Sequence, residues 1–308
     1  MSYITTPKEP KNNLIYAYDV NSLYPSVLKD KLYPIGNPTY FEGNLLKYEP
    51  DLFGFFYCNI TTPVNLNHPI LQLHHKTNDG IRTLSPLGSF SGWFFSEELY
   101  NAKKYGYKFE VLRGYTFESG FIFQKYIDNL YQIRLNYPKT DPMNLLAKLL
   151  LNSLIGRFAL DDSFTFTYIM NKKDYINWVK MEGVIESIID LIEIGNSYII
   201  QVKNPIVKLK TDLDSGTETH NVNIAIASAV TAYARIYMSQ FKNNKDFPNL
   251  YYTDTDSAYF DGDGPLPDSM VDPKRLGALK LEGIYNRALF LSPKVYIPSD
   301  KIIIKIIL

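Results

Sequence analysis

The stretch NLYYTDTDSAYF, residues 249–260, decides the fold, because two short apolar runs flank one tight acidic turn. This pattern predicts a β-hairpin with Asp254 and Asp256 at its tip. Carboxylates two residues apart, roughly 7 Å at the backbone, can converge on one side of such a turn. Mg²⁺ binds one or two carboxylates together with phosphates and water, so the hairpin is a candidate metal site. Taken alone, Asp-Thr-Asp is more often a solvated surface turn, and support must come from other segments.

Another carboxylate ends a predicted strand near the start of the chain. Residues 14–20, LIYAYDV, alternate as a strand does, and Asp19 is followed directly by the turn NSLYPS. Three carboxylates from two strands can hold two Mg²⁺ ions about 3.5–4 Å apart, which would activate a 3′-hydroxyl and steady a leaving pyrophosphate. A carboxylate that only caps the following turn is the alternative interpretation of Asp19.

The turn after Asp19 predicts an element that binds phosphate and screens a sugar. The backbone N–H groups of Ser22, Leu23 and Tyr24 can bind phosphate oxygens. The Tyr24 ring can then lie under the sugar and exclude a 2′-hydroxyl, which would select deoxynucleotides. In a chain with 25 tyrosines, an ordinary core tyrosine is the alternative.

Two helices are predicted at 119–136 and 142–158, and the tight link YPKTDP joins them into an antiparallel hairpin. Asp141 before Pro142 is a helix-start signal. One stripe of the second helix, spaced i, i+4, i+7 and i+8, consists of Lys148, Asn152, Ile155 and Gly156. Lysine and asparagine on such a face suit a nucleoside triphosphate, and the glycine lets a base pair approach closely. A solvated helix face is the alternative.

Three further elements are predicted, namely a helix at 96–104, a hairpin around Gly195-Asn196 and a helix at 221–240. Near the end of the sequence, Lys294 and Tyr296 alternate with Val295. This alternation predicts that both side chains share one strand face, where they can meet the phosphates of a primer strand.

Composition narrows the class of protein. The 308 residues allow about two domains, and 45% hydrophobic content is enough for a substantial core. The 32 basic and 32 acidic residues give no net charge, so the chain lacks the overall basic signature of many nucleic-acid binders. Cys58 is the only cysteine, which excludes an internal disulfide and a cysteine-rich zinc site. No run approaches about 18 apolar residues, so neither a membrane span nor a membrane partner is predicted.

Four segments, taken in order, resemble the signature motifs of family B DNA polymerases, specifically the protein-primed branch of phages and linear mitochondrial plasmids. They are DVNSLYPS at 19–26 (motif A), KLLLNSLIG at 148–156 (motif B), TDTDS at 253–257 (motif C) and Lys294-Val295-Tyr296 (KxY). The resemblance implies an α+β fold, with a palm built on an antiparallel sheet with helices and fingers formed by the helical hairpin. It also implies a DNA-directed DNA polymerase, which adds dNTPs to a 3′-hydroxyl under the direction of a template.

The resemblance implies roles for individual residues. It places two metal ions, Mg²⁺ or alternatively Mn²⁺, on the catalytic carboxylates Asp19, Asp254 and Asp256 and on the Val20 carbonyl. The residues implied to contact the dNTP are Ser22, Leu23, Tyr24, Arg134, Lys148 and Asn152. The residues implied to contact template or primer are Ser153, Ile155, Gly156, Lys294 and Tyr296. The implied partners are template-primer DNA, dNTPs and a terminal priming protein.

The implied domain plan has five parts: 1–118 as the N-terminal palm with a terminal-protein-type insertion at about 31–118, 119–160 as the fingers, 161–220 as a second insertion, 221–290 as the C-terminal palm, and 291–308 as the start of a thumb. The exonuclease domain, its link to the palm and most of the thumb are expected to be missing. Ile155 replaces the tyrosine that usually stands in motif B, which predicts altered fidelity or insertion efficiency.

Two alternatives stay open. One is a truncated, plasmid-derived relic that is catalytically weak or inactive and at most binds nucleic acid. The other is an unrelated metal-dependent nucleotidyl transferase or cyclase with a similar acidic hairpin, against which the motif B helix argues. A mitochondrial location is predicted from the family and from composition, although the sequence has no visible targeting peptide.

Overall fold

The structure is a computed structural model, and it describes residues 2–4, 14–66, 68–78, 80–160, 165–181, 184–203, 222–243, 249–262, 266–298 and 303–304. The chain divides into two compact units. The larger unit comprises Met1–Ser153 and Ala225–Leu308, and the smaller unit comprises Leu154–Ile224. None of the described helices is long and apolar enough to cross a membrane.

Within the described ranges the strands are β1 (Ser2–Ile4), β2 (Ile15–Val20), β3 (Tyr33–Glu42), β4 (Gly54–Thr61), β5 (Leu73–Thr77), β6 (Gly80–Leu84), β7 (Ser89–Phe95), β8 (Lys108–Gly120), β9 (Phe166–Asn171), β10 (Ile188–Ile194), β11 (Ser197–Val202), β12 (Leu250–Asp254), β13 (Ser257–Asp261), β14 (Leu279–Tyr285), β15 (Ala288–Ser292), β16 (Val295–Pro298) and β17 (Ile303–Ile304). The α-helices are α1 (Leu23–Asp30), α2 (Ser96–Lys104), α3 (Gln124–Asn136), α4 (Pro142–Phe158), α5 (Lys172–Trp178) and α6 (Ile224–Ser239).

Five antiparallel strands of the larger unit form one sheet in the order β1-β12-β13-β2-β14. β12 and β13 are buried along their whole length, which is typical of strands covered on both faces. The register places Asp254 opposite Ser257, and Ser257 opposite Asp19. The predicted acidic hairpin is therefore confirmed, and the sheet brings its tip to the same end as the end of β2.

Helix α6 is largely buried and is tied to neighbouring loops by tyrosine side chains. The Tyr233 hydroxyl donates to the carbonyl of Leu32 at 2.9 Å, and the Tyr237 hydroxyl donates to the carbonyl of Gly277 at 2.8 Å. Alanines fill its most buried positions, so the helix can lie close to its neighbours. The helix predicted at 221–240 is confirmed from Ile224 to Ser239, while residue 221 lies outside the described ranges.

A second sheet of the larger unit has the order β3-β8-β4-β7 and carries helix α2. One core cluster joins this sheet to α2 and includes Phe56, Cys58, Phe94, Leu99 and Val111. Burial raises the pKa of the Cys58 thiol to about 12, so this cysteine is an inert core residue rather than a reactive one. Elsewhere on the sheet Trp93 stacks on Tyr115 with a centroid distance of 5.8 Å. The helix predicted at 96–104 is confirmed at both ends.

Helices α3 and α4 form the predicted hairpin, and polar side chains fix its link. The Asp141 carboxylate accepts a hydrogen bond from the N–H of Met143 at 2.8 Å, as the predicted cap requires. The buried Asn144 amide donates to the carbonyls of Arg134 at 2.9 Å and Tyr137 at 2.8 Å. The predicted start at 119 is wrong, because strand β8 runs to Gly120 and α3 begins only at Gln124.

The smaller unit contains a three-stranded antiparallel sheet in the order β10-β11-β9, with α5 beside it. The predicted hairpin at Gly195-Asn196 is confirmed, and Gly195 has a φ of +58°. Trp178 at the end of α5 packs on Tyr168 with a centroid distance of 5.7 Å. Residues 204–221, between β11 and α6, lie outside the described residues.

Candidate active site

The turn that joins β12 to β13 is tight and conformationally strained. The N–H of Asp256 donates to the carbonyl of Asp254 at 2.6 Å, and the Ser257 hydroxyl donates to the same carbonyl at 3.1 Å. Thr255 lies between the aspartates with a φ of +53°, a region that β-branched residues rarely adopt. Its hydroxyl donates to the Asp254 carboxylate at 3.2 Å. Backbone strain of this kind is commonly found at functional sites, where the surroundings hold it in place.

Asp254 forms a buried ion pair with Lys294. The lysine Nζ lies 2.7 Å from Oδ1 and 2.9 Å from Oδ2 of Asp254, whose side chain is only 2% exposed. Lys294 stands in the turn between β15 and β16 with a φ of +64°, and its N–H donates to the Tyr252 hydroxyl at 3.0 Å. This lysine therefore positions the acidic hairpin from outside its strands.

The prediction that Lys294 and Tyr296 share one strand face is wrong. Strand β16 begins at Val295, and the left-handed backbone of Lys294 turns its side chain towards Asp254. Tyr296 is 3% exposed and packs in the core between Tyr252 and Tyr259, at centroid distances of 5.3 Å and 5.4 Å. The predicted contact of both residues with primer phosphates stays a prediction.

The end of β2 is joined directly to the acidic turn. The N–H of Val20 donates to the carbonyl of Asp256 at 2.8 Å. Asp19 and Asp256 are both partly exposed, whereas Val20 is 1% exposed. Two accessible carboxylates, Asp19 on β2 and Asp256 in the β12–β13 turn, therefore lie at the same end of the sheet, next to the buried Asp254.

The turn after β2 and the start of α1 gather further predicted residues. Arg134 on α3 donates from Nη1 to the Ser22 hydroxyl at 2.8 Å, and its buried Nε–H has no hydrogen-bond partner within the described ranges. Leu23 is 2% exposed, so only its backbone is suited to bind a ligand. Burial, followed by the Asp256 charge, raises the pKa of the Tyr24 hydroxyl. Tyr24 thus lies within electrostatic reach of the acidic turn, and its role in screening the sugar stays a prediction.

Helix α4 carries the remaining predicted residues. Lys148, Asn152 and Ser153 are exposed and belong to the larger unit. Ile155 is half-buried and Gly156 is exposed, and both belong to the smaller unit. The predicted stripe of Lys148 and Asn152 is therefore accessible to a ligand.

Comparison with known proteins decides the family. A family profile described as DNA polymerase type B, organellar and viral, matches residues 4–247. The chain belongs to this family. The resemblance to family B DNA polymerases of the phage and plasmid type, predicted from four ordered motifs, is thereby confirmed.

Its relatives include a probable DNA polymerase of Neurospora intermedia, which is 38% identical over 289 residues that make up 92% of this chain and 28% of the relative. The DNA polymerase of Bacillus phage phi29 is 26% identical over 91% of this chain and 44% of that protein. Phi29 DNA polymerase complexed with primer-template DNA and incoming nucleotide substrates matches with a TM-score of 0.68 at 22% identity, over 99% of this chain and 50% of that one. The chain thus has the family fold and spans about a quarter of the fungal relative's length.

In this family B chain, the predicted three-carboxylate metal site stays a prediction. Among the described residues, no group of three or more His, Cys, Asp and Glu side chains lies close enough to hold a metal ion. Lys294 binds both oxygens of Asp254. Asp19 and Asp256 still offer two carboxylates, which fit a hard cation that completes its shell with phosphates and water.

One polar pair of the polymerase fold was not predicted from the sequence. Arg235 on α6 binds Glu98 on α2 through Nε to Oε1 at 2.6 Å and Nη2 to Oε2 at 2.9 Å. Both partners are largely buried, with side-chain exposures of 33% and 7%. The signal available in the sequence was a lone arginine within the apolar stretch of α6, since a cation on a buried face needs a carboxylate partner.

Proposed function

We propose that this chain is the nucleotidyl-transfer core of a DNA-directed DNA polymerase, which adds dNTPs to the 3′-hydroxyl of a primer paired to a template. The observation that carries this proposal is the hydrogen bond from Val20 N–H to the Asp256 carbonyl at 2.8 Å. It fixes motif A against the acidic hairpin, so that Asp19 on β2 and Asp256 in the β12–β13 turn lie at one end of the sheet.

Asp19 and Asp256 are the residues that would hold Mg²⁺, with the Val20 carbonyl as a further ligand and Mn²⁺ as the alternative ion. Two such ions, when bound, lower the pKa of the attacking 3′-hydroxyl and neutralise charge on the leaving pyrophosphate. Asp254 has a different role, because its ion pair with Lys294 holds the strained turn in place. The third predicted metal ligand thus acts as a positioning residue in this arrangement.

Several side chains would bind and orient the dNTP. Arg134 has a buried N–H without a protein partner, which suits a phosphate oxygen. Lys148 and Asn152 extend this polar surface along the exposed face of α4. Tyr24 is half-buried and would exclude a 2′-hydroxyl, while the backbone N–H groups of Ser22 and Leu23 would contact phosphate.

DNA is the proposed macromolecular partner, and Ser153, Ile155, Gly156 and Lys294 are its proposed contacts, whereas Tyr296 is buried in the core. Support comes from a phi29 DNA polymerase structure of the same fold that contains primer-template DNA. The same proposal includes priming by a terminal protein and replication of a linear plasmid or viral-type genome. It also includes the terminal-protein-type insertion at about 31–118 and the second insertion at 161–220. The mitochondrial location stays a prediction.

The direct test is primer extension with Mg²⁺ and dNTPs, comparing the unchanged chain with Asp256→Ala. Loss of one catalytic carboxylate should reduce extension at least about a thousandfold, since each metal contributes several kcal/mol of charge stabilisation. The matched control is Asp268→Ala, which removes an exposed carboxylate away from the hairpin and should leave extension unchanged.

Equal extension by the unchanged chain and by Asp256→Ala would refute the proposed role of the acidic turn. Absence of extension by all three proteins, together with retained binding of primer-template DNA, would favour the alternative of an inactive relic that binds nucleic acid.

A further inference from the structure

A small cavity lies in the larger unit on the side of the acidic hairpin that faces α6. Its volume is about 190 Å³, and its lining includes Arg235, Lys242, Thr253 and Thr255. Cavities that hold drug-sized molecules usually measure about 300–1,000 Å³, so this one has room for a single small group. None of the proposed metal ligands lines it, and Tyr24 is the one proposed dNTP contact in its lining.

The cavity contains more positive than negative charge. Arg235 is paired with Glu98, which balances one cation. Lys242, one turn beyond α6, also lies within electrostatic reach of Glu98, so this one carboxylate faces two cations. Burial, and then the nearby Arg235 charge, lowers the pKa of Lys242, while the Glu98 charge acts in the opposite direction. Two cations that share one carboxylate leave a net positive charge, which an anion in the cavity would balance.

The cavity also holds a hydroxyl that lacks a hydrogen bond. Thr253 is 2% exposed, and within the described ranges its Oγ1 atom has no partner. Buried polar groups in proteins are nearly always paired, so an unpaired one in a polar cavity indicates an absent ligand or water. The hydroxyl and the two cations come from different elements, β12, α6 and the segment after α6, and they line one space.

We infer that this cavity binds a phosphate-type oxyanion, held by the Lys242 ammonium, the outward N–H groups of Arg235 and the Thr253 hydroxyl. Arginine and lysine are the usual protein partners of phosphate, and a hydroxyl supplies the third directed hydrogen bond. The size of the cavity fits inorganic phosphate, pyrophosphate or a terminal phosphate of a nucleic acid rather than a whole nucleotide. Since Thr253 and Thr255 flank Asp254, an occupant contacts the strand and turn that carry the acidic residues.

This inference goes beyond the proposed polymerase reaction and does not depend on it, because binding is measured without metal ions, dNTPs or DNA synthesis. The 308-residue chain is titrated with inorganic pyrophosphate in the presence of a chelator, and heat of binding is recorded. We expect saturable binding that weakens at least about tenfold in Lys242→Met, the loss typical of one charged hydrogen bond. Lys76→Met, which neutralises an exposed lysine on β5, is the matched control and should bind as the unchanged chain does.

Thr253→Val tests the hydroxyl with a side chain of nearly the same shape. We expect it to weaken pyrophosphate binding and, without the anion, to raise the melting temperature, because it removes an unpaired buried polar atom. This variant also keeps the inference testable if Lys242→Met does not fold.

Two further binding measurements identify the source of the phosphate and test whether pyrophosphate binds at the acidic turn instead. If a 5′-phosphorylated oligonucleotide displaces pyrophosphate and the same oligonucleotide with a 5′-hydroxyl does not, the site binds nucleic-acid ends. If neither oligonucleotide displaces pyrophosphate, the site binds the free anion. Asp256→Ala should retain full binding. The inference is overturned if pyrophosphate does not saturate, if Lys242→Met binds normally, or if Asp256→Ala abolishes binding while Lys242→Met does not.

Discussion

The β12–β13 hairpin of the larger unit and the β10–β11 hairpin of the smaller unit have similar turns and opposite surroundings. Each turn has two residues and begins with a left-handed residue, Thr255 at +53° and Gly195 at +58°. The strands of the first hairpin are entirely buried, whereas those of the second are largely accessible. Glycine adopts this backbone without strain, but threonine does not. The difference indicates that the acidic turn is selected for what its side chains do, and that tertiary contacts impose its backbone.

The largest expected effect on stability concerns the ion pairs beside the two hairpins. Lys294→Met removes the partner of the buried Asp254, and we expect a loss of about 2–4 kcal/mol in the free energy of unfolding, because a buried carboxylate is left uncompensated. Urea denaturation measures this loss in the free energy of unfolding. The matched change Lys172→Met breaks the exposed pair with Glu193 and should have no measurable effect, since surface pairs contribute little.

A double variant sharpens this test. Asp254→Asn combined with Lys294→Met should recover part of the lost stability, because the uncompensated charge is gone. If the double variant is as unstable as the sum of the single ones, the two side chains do not interact as the structure has them.

The next largest effect is expected at the turn of the smaller unit. Gly195→Ala should destabilise that unit by about 1–2 kcal/mol, the cost of a side chain in the left-handed region. An added Cβ at this position meets no heavy atom within 4 Å, so backbone conformation alone accounts for the cost. Asn196→Ala is the control in the same turn. A Gly195→Ala protein of unchanged stability would show that this turn tolerates another backbone conformation.

The smallest effect is expected at Thr255. Thr255→Gly relieves the backbone strain but removes the hydrogen bond to Asp254 and adds freedom to the unfolded chain, so stability should change by less than about 1 kcal/mol. Urea denaturation of this variant beside Gly195→Ala compares the two turns directly. A loss above 2 kcal/mol would mean that the threonine hydroxyl, rather than the buried strands, holds the acidic turn.

Local patterns in the sequence were enough to predict both hairpins, because apolar runs around a short polar turn fix strand, turn and strand. The cap at Asp141 and the helix from Ser96 were likewise readable from neighbouring residues. The prediction put the Lys294 side chain on the wrong face, because the residue type lysine does not indicate a φ of +64°.

Contacts between distant segments likewise could not be predicted from local sequence patterns. The ion pair of Asp254 with Lys294 joins residues 40 positions apart. The ion pair of Arg235 with Glu98 joins residues 137 positions apart. The family resemblance supplied the list of candidate residues, but it did not indicate that the Asp254 carboxylate is bound by a lysine.

The chain has two tryptophans, and each compact unit contains one of them, Trp93 in the larger and Trp178 in the smaller. Their indole rings therefore act as separate fluorescent reporters. Replacing either by phenylalanine leaves an emission signal that follows a single unit during heating or denaturant titration. Optical melting alone can thus establish whether the two units lose their structure in one step or in two, without a dye or a label.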